Sequence, residues 1–513
     1  MNETLHELLA KHPDNATAIS APGRAPLSYG HLRGQIARTV ETLNGLGIAR
    51  NDRVAIVLNN GPEMAAAFLA IASRATAAPL NPAYREEEFE FYLSDLKARA
   101  LVVEEGSDSP AIAVAEKLGV SVINLLPGGA AGDFELIGEG QTSPKEGSPS
   151  SRGRGAAGGS ARPDDIALVL HTSGTTSRPK IVPLAQRNVC VSAQNIVATL
   201  QLESKDRGLV VMPLFHIHGL IAAVLAPLAA GGSIYCTPGF NALKFFSWMG
   251  EARPTWYTAV PTMHQAVVAR AERNREVIAA NPLRFIRSSS SSLPVQVLHE
   301  LERTFNAPVI ESYGMSEASH QMASNPLPPR PRKPGTVGIA AGPEIAIMDE
   351  KGKMLSAGET GEIVIRGANV TLGYENNPKA NADAFMNGWF RTGDQGVIDV
   401  EGYLTINGRL KEIINRGGEK ISPREVDEVL MEHTEIAQVV TFAMPHDKLG
   451  EDVAAAIVLR EGSSATEKEI REFAAKRLAD FKVPRKILIL DEIPKGATGK
   501  LQRIGLAAKL GLG

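Results

Sequence analysis

The chain reads as a layered α/β protein, with a large N-terminal domain of mostly parallel sheets and helices over residues 1–408. A small α+β C-terminal domain follows at 409–513. Three observations predict this. Buried apolar runs alternate with helical patterns for about four hundred residues, the rhythm of stacked α/β layers. At 513 residues the chain exceeds what one hydrophobic core supports, so two or more domains are expected. Beyond residue 409 the rhythm gives way to two amphipathic helices and two strands.

The elements follow in order. Val54-Ala55-Ile56-Val57-Leu58 is an unbroken apolar run, the mark of a strand buried on both faces. After Asn59-Asn60-Gly61, Pro62 suits the first turn of a helix with Met64, Phe68 and Ile71 on one face. The Ala-rich run from Met64 to Ala78 reads as one packed helix, since Ser73 and Arg74 break it too early for a membrane span. Ile166-Ala167-Leu168-Val169-Leu170 and Gly208-Leu209-Val210-Val211-Met212 are further buried strands. Leu283-Arg284-Phe285-Ile286 is another, and Leu298, Leu301 and Phe305 give helical spacing before a strand that ends at Ile310.

From Ser143 to Arg162 the composition collapses to Ser, Gly, Pro, Arg and Ala. Gly153-Arg154-Gly155-Ala156-Ala157-Gly158 there matches the dinucleotide-binding letters, but no strand precedes it and no amphipathic helix follows. It reads as a flexible linker. In the last hundred or so residues, Ser422 with Glu425 and Thr466 with Glu469 form capping boxes ahead of apolar helix faces. Strands at Gln438-Val439-Val440 and Ala454–Leu459 can cover those faces. The basic, glycine-bearing segment from Arg409 to Gly418 marks the domain boundary.

Bulk properties narrow the function. A net charge of −3 and pI near 6.5 give no electrostatic reason to bind nucleic acid or an anionic membrane. Cys190 and Cys236 lack metal-ligand or catalytic-pair spacing and suit a reducing compartment. The N-terminus lacks the regions of a signal peptide, and Gly511-Leu512-Gly513 is no peroxisomal address. A cytoplasmic enzyme, monomer or homodimer, is expected.

The most informative ten residues are His171-Thr172-Ser173-Gly174-Thr175-Thr176-Ser177-Arg178-Pro179-Lys180. Hydroxyls, a glycine and two cations at the end of a buried strand suit a polyphosphate, and no Walker spacing is present. The loop resembles the phosphate-binding signature of the adenylate-forming superfamily, whose members include acyl-CoA synthetases, luciferases and adenylation domains. Ser177 and Ile181 stand where that family more often has glycine.

Further segments resemble the same family in the same order. Glu311-Ser312-Tyr313-Gly314-Met315-Ser316-Glu317 offers Tyr313 as an aromatic face for adenine, Ser316 as a phosphate hydroxyl and Glu317 as a hard ligand for Mg²⁺. Thr172 is the second residue the resemblance places near the metal. The family usually has glycine and threonine where this chain has Ser312 and Ser316. Ser288-Ser289-Ser290-Ser291-Ser292 falls where relatives carry the small-residue loop that lines adenine. Asp394 and Arg409 resemble the ribose-binding pair, and Lys411 sits at the interdomain hinge. Lys500, in Thr498-Gly499-Lys500, matches the residue that stabilises charge when a carboxylate attacks ATP. Pro213-Leu214-Phe215-His216-Ile217-His218-Gly219 and Asn415-Arg416-Gly417-Gly418 look like acyl-CoA synthetases, with His216 as the gate and Gly417-Gly418 beside the CoA path.

The resemblance implies two steps with ATP, Mg²⁺ and CoA. The acid and ATP give an acyl-adenylate, then the C-terminal domain swings about Lys411 and CoA takes the acyl group. Transfer to a non-CoA acceptor remains an alternative, as does a nucleotide-binding module without turnover. The stretch from Ala318 to Gly338 looks like the oxalate–CoA ligase branch. An acid pocket bordered by His216, His218, Ser289 and His320 can hydrogen-bond a second carboxylate, so a small dicarboxylate, oxalate first, is expected. A medium-chain or aromatic acid is the competing substrate.

Overall fold

A computed structural model describes residues 3–138, 161–172, 179–494 and 501–512. Two sheets carry the N-terminal domain. The first has seven strands in the order Phe134–Gly138, Ser121–Pro127, Ala100–Glu104, Arg53–Val57, Thr76–Pro79, Ile166–Thr172 and Lys180–Ala185. Its inner five are parallel and both edges are antiparallel. The second has nine, and six consecutive ones are parallel: Val309–Met315, Phe285–Ser288, Trp256–Ala259, Arg207–Val210, Ser233–Cys236 and Thr17–Ser20. A third sheet, from Glu344–Met348 to Leu404–Arg409, is antiparallel throughout.

The helix Pro62–Ala72 starts at the expected proline, and only its second residue, Glu63, escapes full burial. It packs between the first two sheets, against Val54 and Ile56 on one side and Ile19 and Ile234 on the other. Small alanines let the layers close at that depth. The helix does not run on to Ala78 as its composition predicts. It stops at Ala72, and Thr76–Pro79 is a parallel strand between Arg53–Val57 and Ile166–Thr172. Pairing on both sides overrides the helical preference of alanine. No helix among the described residues is long and apolar enough to cross a membrane.

A second correction bears on the site. The strand expected to end at Ile310 continues as Val309–Met315, because its second half pairs antiparallel with His320–Ser324. The Glu311–Met315 segment is thus strand, with Ser316–Ala318 a single 3₁₀ turn beyond it.

The C-terminal unit is a five-stranded sheet around Ile436–His446 and Gly450–Leu459, with the helices Pro423–Met431 and Glu467–Ala475. Thr466 and Glu469 form the full capping box. At Ser422 only half forms: its hydroxyl accepts from Glu425 N–H, while the Glu425 carboxylate pairs with Lys482 at 2.6 Å. Arg424 reaches the other way, donating to the carbonyls of Ile406 at 2.6 Å and Gly335 at 3.1 Å. Val426 and Leu430 join one continuous core with Leu293 and Val297. Of the Ser143–Arg162 linker, only residues 161 and 162 fall among those described.

Candidate active site

The site gathers where the parallel strands Trp256–Ala259, Phe285–Ser288 and Val309–Met315 end, the usual ligand crevice of an α/β sheet. Three sequence-predicted residues meet at one side. Asp394 and Arg409 are direct partners across antiparallel strands, with Arg409 Nε 3.4 Å from Asp394 Oδ1. Tyr313 donates its hydroxyl to Asp394 Oδ2. Burial, then the Asp394 carboxylate, push the Tyr313 phenol up, so it stays a donor.

Glu317 lies buried a few residues on. Its Oε1 accepts from Tyr374 Oη at 2.8 Å, and Lys180 Nζ stands 4.3 Å from the centre of the Tyr374 ring. Burial raises the Glu317 carboxyl, opposed by the Tyr374 hydrogen bond and by Arg409 and Lys180. Tyr374 is a residue the sequence motifs missed; its only signal is an aromatic flanked by Gly373. Thr172 ends its strand opposite Lys180. Ile181 sits next along, buried in extended backbone that suits a β-branched side chain, so no left-handed turn is required of it. Ser173, Gly174, Thr175, Thr176 and Lys500 lie outside the described residues.

The serine run splits by environment. Ser288 and Ser289 are buried, Ser290 takes φ +74°, and Ser291 is exposed. Ser289 Oγ donates to Ser312 carbonyl at 3.1 Å, while Ser312 Oγ donates to Ser288 carbonyl at 3.2 Å. These two hydroxyls lock the strand ends together. Glu311 accepts from Leu293 N–H at 3.1 Å; burial pushes its carboxyl up to about 7. Gly314 is forced by packing, since a Cβ there would stand 1.9 Å from the His320 carbonyl. Ser316 is half-buried on the turn beside Glu317.

A second cluster lies deeper. His218 and His320 stack with ring centres 4.9 Å apart. Against both rings and Thr258 lies Arg287, wholly buried, which no sequence motif singled out. Its Nη1 lies 3.2 Å from His320 Nε2 and 3.4 Å from both His218 Nε2 and Thr258 Oγ1; its Nη2 donates to Gln321 Oε1 at 3.4 Å. Burial pushes the guanidinium down to about 9. Among the described residues no carboxylate pairs with it. His216 is half-buried, its Nδ1 accepting from His218 N–H at 3.3 Å.

Gly417 and Gly418 form a two-residue hairpin turn with φ +61° and +103°, a conformation that selects glycine before any ligand is considered. Lys411 is exposed in the turn between Leu404–Arg409 and Ile414–Arg416. A cleft of about 590 Å³ lies at the opposite, starting ends of the parallel strands, around Arg207, Ser233 and Thr255. It holds none of these groups.

Comparison with known proteins fits this geometry. Residues 5–375 match the AMP-binding enzyme family and residues 425–500 match the AMP-binding enzyme C-terminal domain. The chain belongs to this family, and similarity running over nearly its whole length makes it an ATP-dependent, AMP-forming acid–CoA ligase. The oxalate–CoA ligase of Arabidopsis thaliana is 45% identical over 97% of this chain and 96% of its own length. That of Saccharomyces cerevisiae is 43% identical over 92% and 89%. Among solved structures, ATP-bound MatB from Rhodopseudomonas palustris superposes with TM-score 0.85 at 29% identity, covering 98% of this chain and 97% of that one.

Proposed function

We propose that the acid is oxalate, activated as oxalyl-adenylate and released as oxalyl-CoA. The observation that carries this is the buried polar cluster of His218, Thr258, Arg287, His320 and Gln321 at the strand ends. A fatty or aromatic tail calls for apolar walls, and leaving these groups unmatched against it would cost about 1–3 kcal/mol each. Relatives that act on oxalate support the same reading.

In the first step an oxalate oxygen attacks the α-phosphorus of ATP, the α–β bridging bond breaks and pyrophosphate leaves. Tyr313 flanks the adenine, while Asp394 accepts the ribose hydroxyls and Arg409 donates to them. Ser290, Ser291, Ser312 and Gly314 shape the nucleotide pocket beside Glu311. The 172–176 loop, Lys180 and Ser316 hold the phosphates, and Lys500 meets the charge that develops there. Glu317 and the Thr172 hydroxyl fit Mg²⁺ brought by the nucleotide. A buried carboxyl raised by desolvation gains from a cation, and phosphate oxygens complete the hard donor set. That ion would spread the charge of the departing pyrophosphate.

In the second step the C-terminal domain, with its boundary at 408/409, turns about Lys411. Gly417-Gly418 then border the thiol path and His216 guards the way to the acid. CoA thiolate attacks the acyl carbon and AMP leaves. A reducing cytoplasmic compartment suits the two buried free cysteines, and a monomer or homodimer suffices for this chemistry.

AMP release measured with and without CoA, for oxalate, malonate, octanoate and 4-coumarate, tests the reading. Oxalate should give the highest kcat/KM, with CoA required for sustained turnover. Octanoate or 4-coumarate outpacing both diacids would sink it.

A further inference from the structure

The Arg287 environment fixes more than polarity. Its guanidinium can only donate, so the nitrogens it faces, His218 Nε2 and His320 Nε2, must accept. His218 Nε2 also takes the Thr258 hydroxyl at 2.7 Å, and its Nδ1 then gives its proton to Ser290 Oγ at 3.0 Å. Both rings are therefore neutral, each with its proton on Nδ1. Stacked imidazolium cations beside a guanidinium would repel strongly at this burial. Among the described residues the cluster so holds one full positive charge with neutral acceptors hydrogen-bonded to it.

Those contacts are poor compensation. They are long, at 3.2–3.4 Å, and the Nε of Arg287 is buried with no hydrogen-bond partner among the described residues. Buried Arg424 is answered differently, pairing with Glu428 at 2.8 Å, and half-buried Arg503 pairs with Asp427. A buried guanidinium held in place by neutral groups is arranged for an anion from outside.

We propose that Arg287 is the receptor for the second carboxylate of the acid, the charge that admits oxalate and excludes acids with uncharged tails. This rests on the oxalate reading above and adds the residue that enforces it. Oxalate joins its two carboxylates by a single C–C bond, so one can lie on Arg287 while the other is presented to ATP. An uncharged tail would leave the guanidinium buried without a counter-charge, a far larger penalty than a lost contact. Neutral His218 and His320 position the guanidinium and add no charge.

The test compares wild type with Arg287→Gln and Arg287→Lys, using the same acid panel with propionate and sulfoacetate added. Arg287→Gln should lower kcat/KM for oxalate by about 10²–10³-fold, mainly through KM for the acid, leaving KM for ATP within a few-fold. Arg287→Lys should recover part of that loss, and propionate should gain relative to oxalate in the glutamine variant. Thermal melting separates a receptor from a structural group. The unliganded glutamine variant should melt at or above wild type, because an unanswered buried charge has gone, while oxalate should no longer raise its Tm. Wild type active on oxalate with Arg287→Gln within threefold of it would overturn the proposal and leave the oxalate reading standing. Wild type inactive on oxalate but active on sulfoacetate, with the activity lost in Arg287→Gln, would overturn the oxalate reading and keep the anion receptor. Preference of wild type for propionate or octanoate would overturn both.

Discussion

The two ends of the active site handle charge in opposite ways. At the nucleotide end, among the described residues, the charged groups are largely answered within the protein: Arg409 faces Asp394, Asp394 takes the Tyr313 hydroxyl, and Glu317 is held by Tyr374, with Glu311 Oε2 the exception. At the acid end Arg287 is buried among neutral groups. The difference teaches what each end waits for. On the reading proposed above, ATP brings hydroxyls and an aromatic base to a preset frame, whereas the acid brings the charge that answers Arg287.

The largest test of the balanced end is Lys500→Ala. Acyl-adenylate formation should fall by about 10²–10³-fold, while CoA transfer from synthetic acyl-adenylate survives; equal loss of both half-reactions would refute the assignment. Asp394→Ala comes next. It unbalances Arg409 and frees Tyr313 together, and should raise KM for ATP by about 10–100-fold with KM for oxalate little changed. If the acid constant moved more than the nucleotide constant, the two ends would not be separate.

Tyr374→Phe is subtler. The hydroxyl holds Glu317 down against the upward push of burial, so its loss lets the carboxyl rise further. The acid limb of the kcat/KM profile should move to higher pH, with a loss of about 10-fold near neutrality. A shift to lower pH would break the account.

The smallest effect concerns Glu311, which resembles Arg287 in being a buried ion with an unanswered atom, here Oε2. Its folded carboxyl sits at about 7, above the unfolded value, so it favours folding below about pH 4.5. That contribution is lost as pH climbs through 7. Glu311→Gln should gain ~1–3 kcal/mol over wild type at pH 8 and much less at pH 5, read by urea unfolding at both. A variant less stable at pH 8 would show the charge to be compensated.

Much of the nucleotide end was legible in the sequence. Glu311 to Glu317 is one segment, and Asp394 and Arg409 each sit in a short motif, so local spelling carried them; the capped C-terminal helices were legible for the same reason. Local chemistry also explained why Pro62 opens a helix. It could not say that the alanine run would break into a strand at Thr76, since that depended on two neighbours distant in the chain.

The acid end was half legible. His216, His218, Ser289 and His320 stood out as polar groups able to hydrogen-bond a second carboxylate, while Arg287 fell between the expected strand 283–286 and the serine run and was not singled out. What the sequence determined by itself was the family of chemistry, because that is written in contiguous motifs. What only the tertiary structure decided was where the charge sits. Parallel register sets Thr258 beside Arg287, the antiparallel return sets His320 opposite Met315, and the turn of chain after Pro213 delivers His218. Together they bring His218, Thr258 and His320 to Arg287 from tens of positions away, which no local pattern encodes, and burial then turns a routine arginine into a cation with no carboxylate beside it among the described residues.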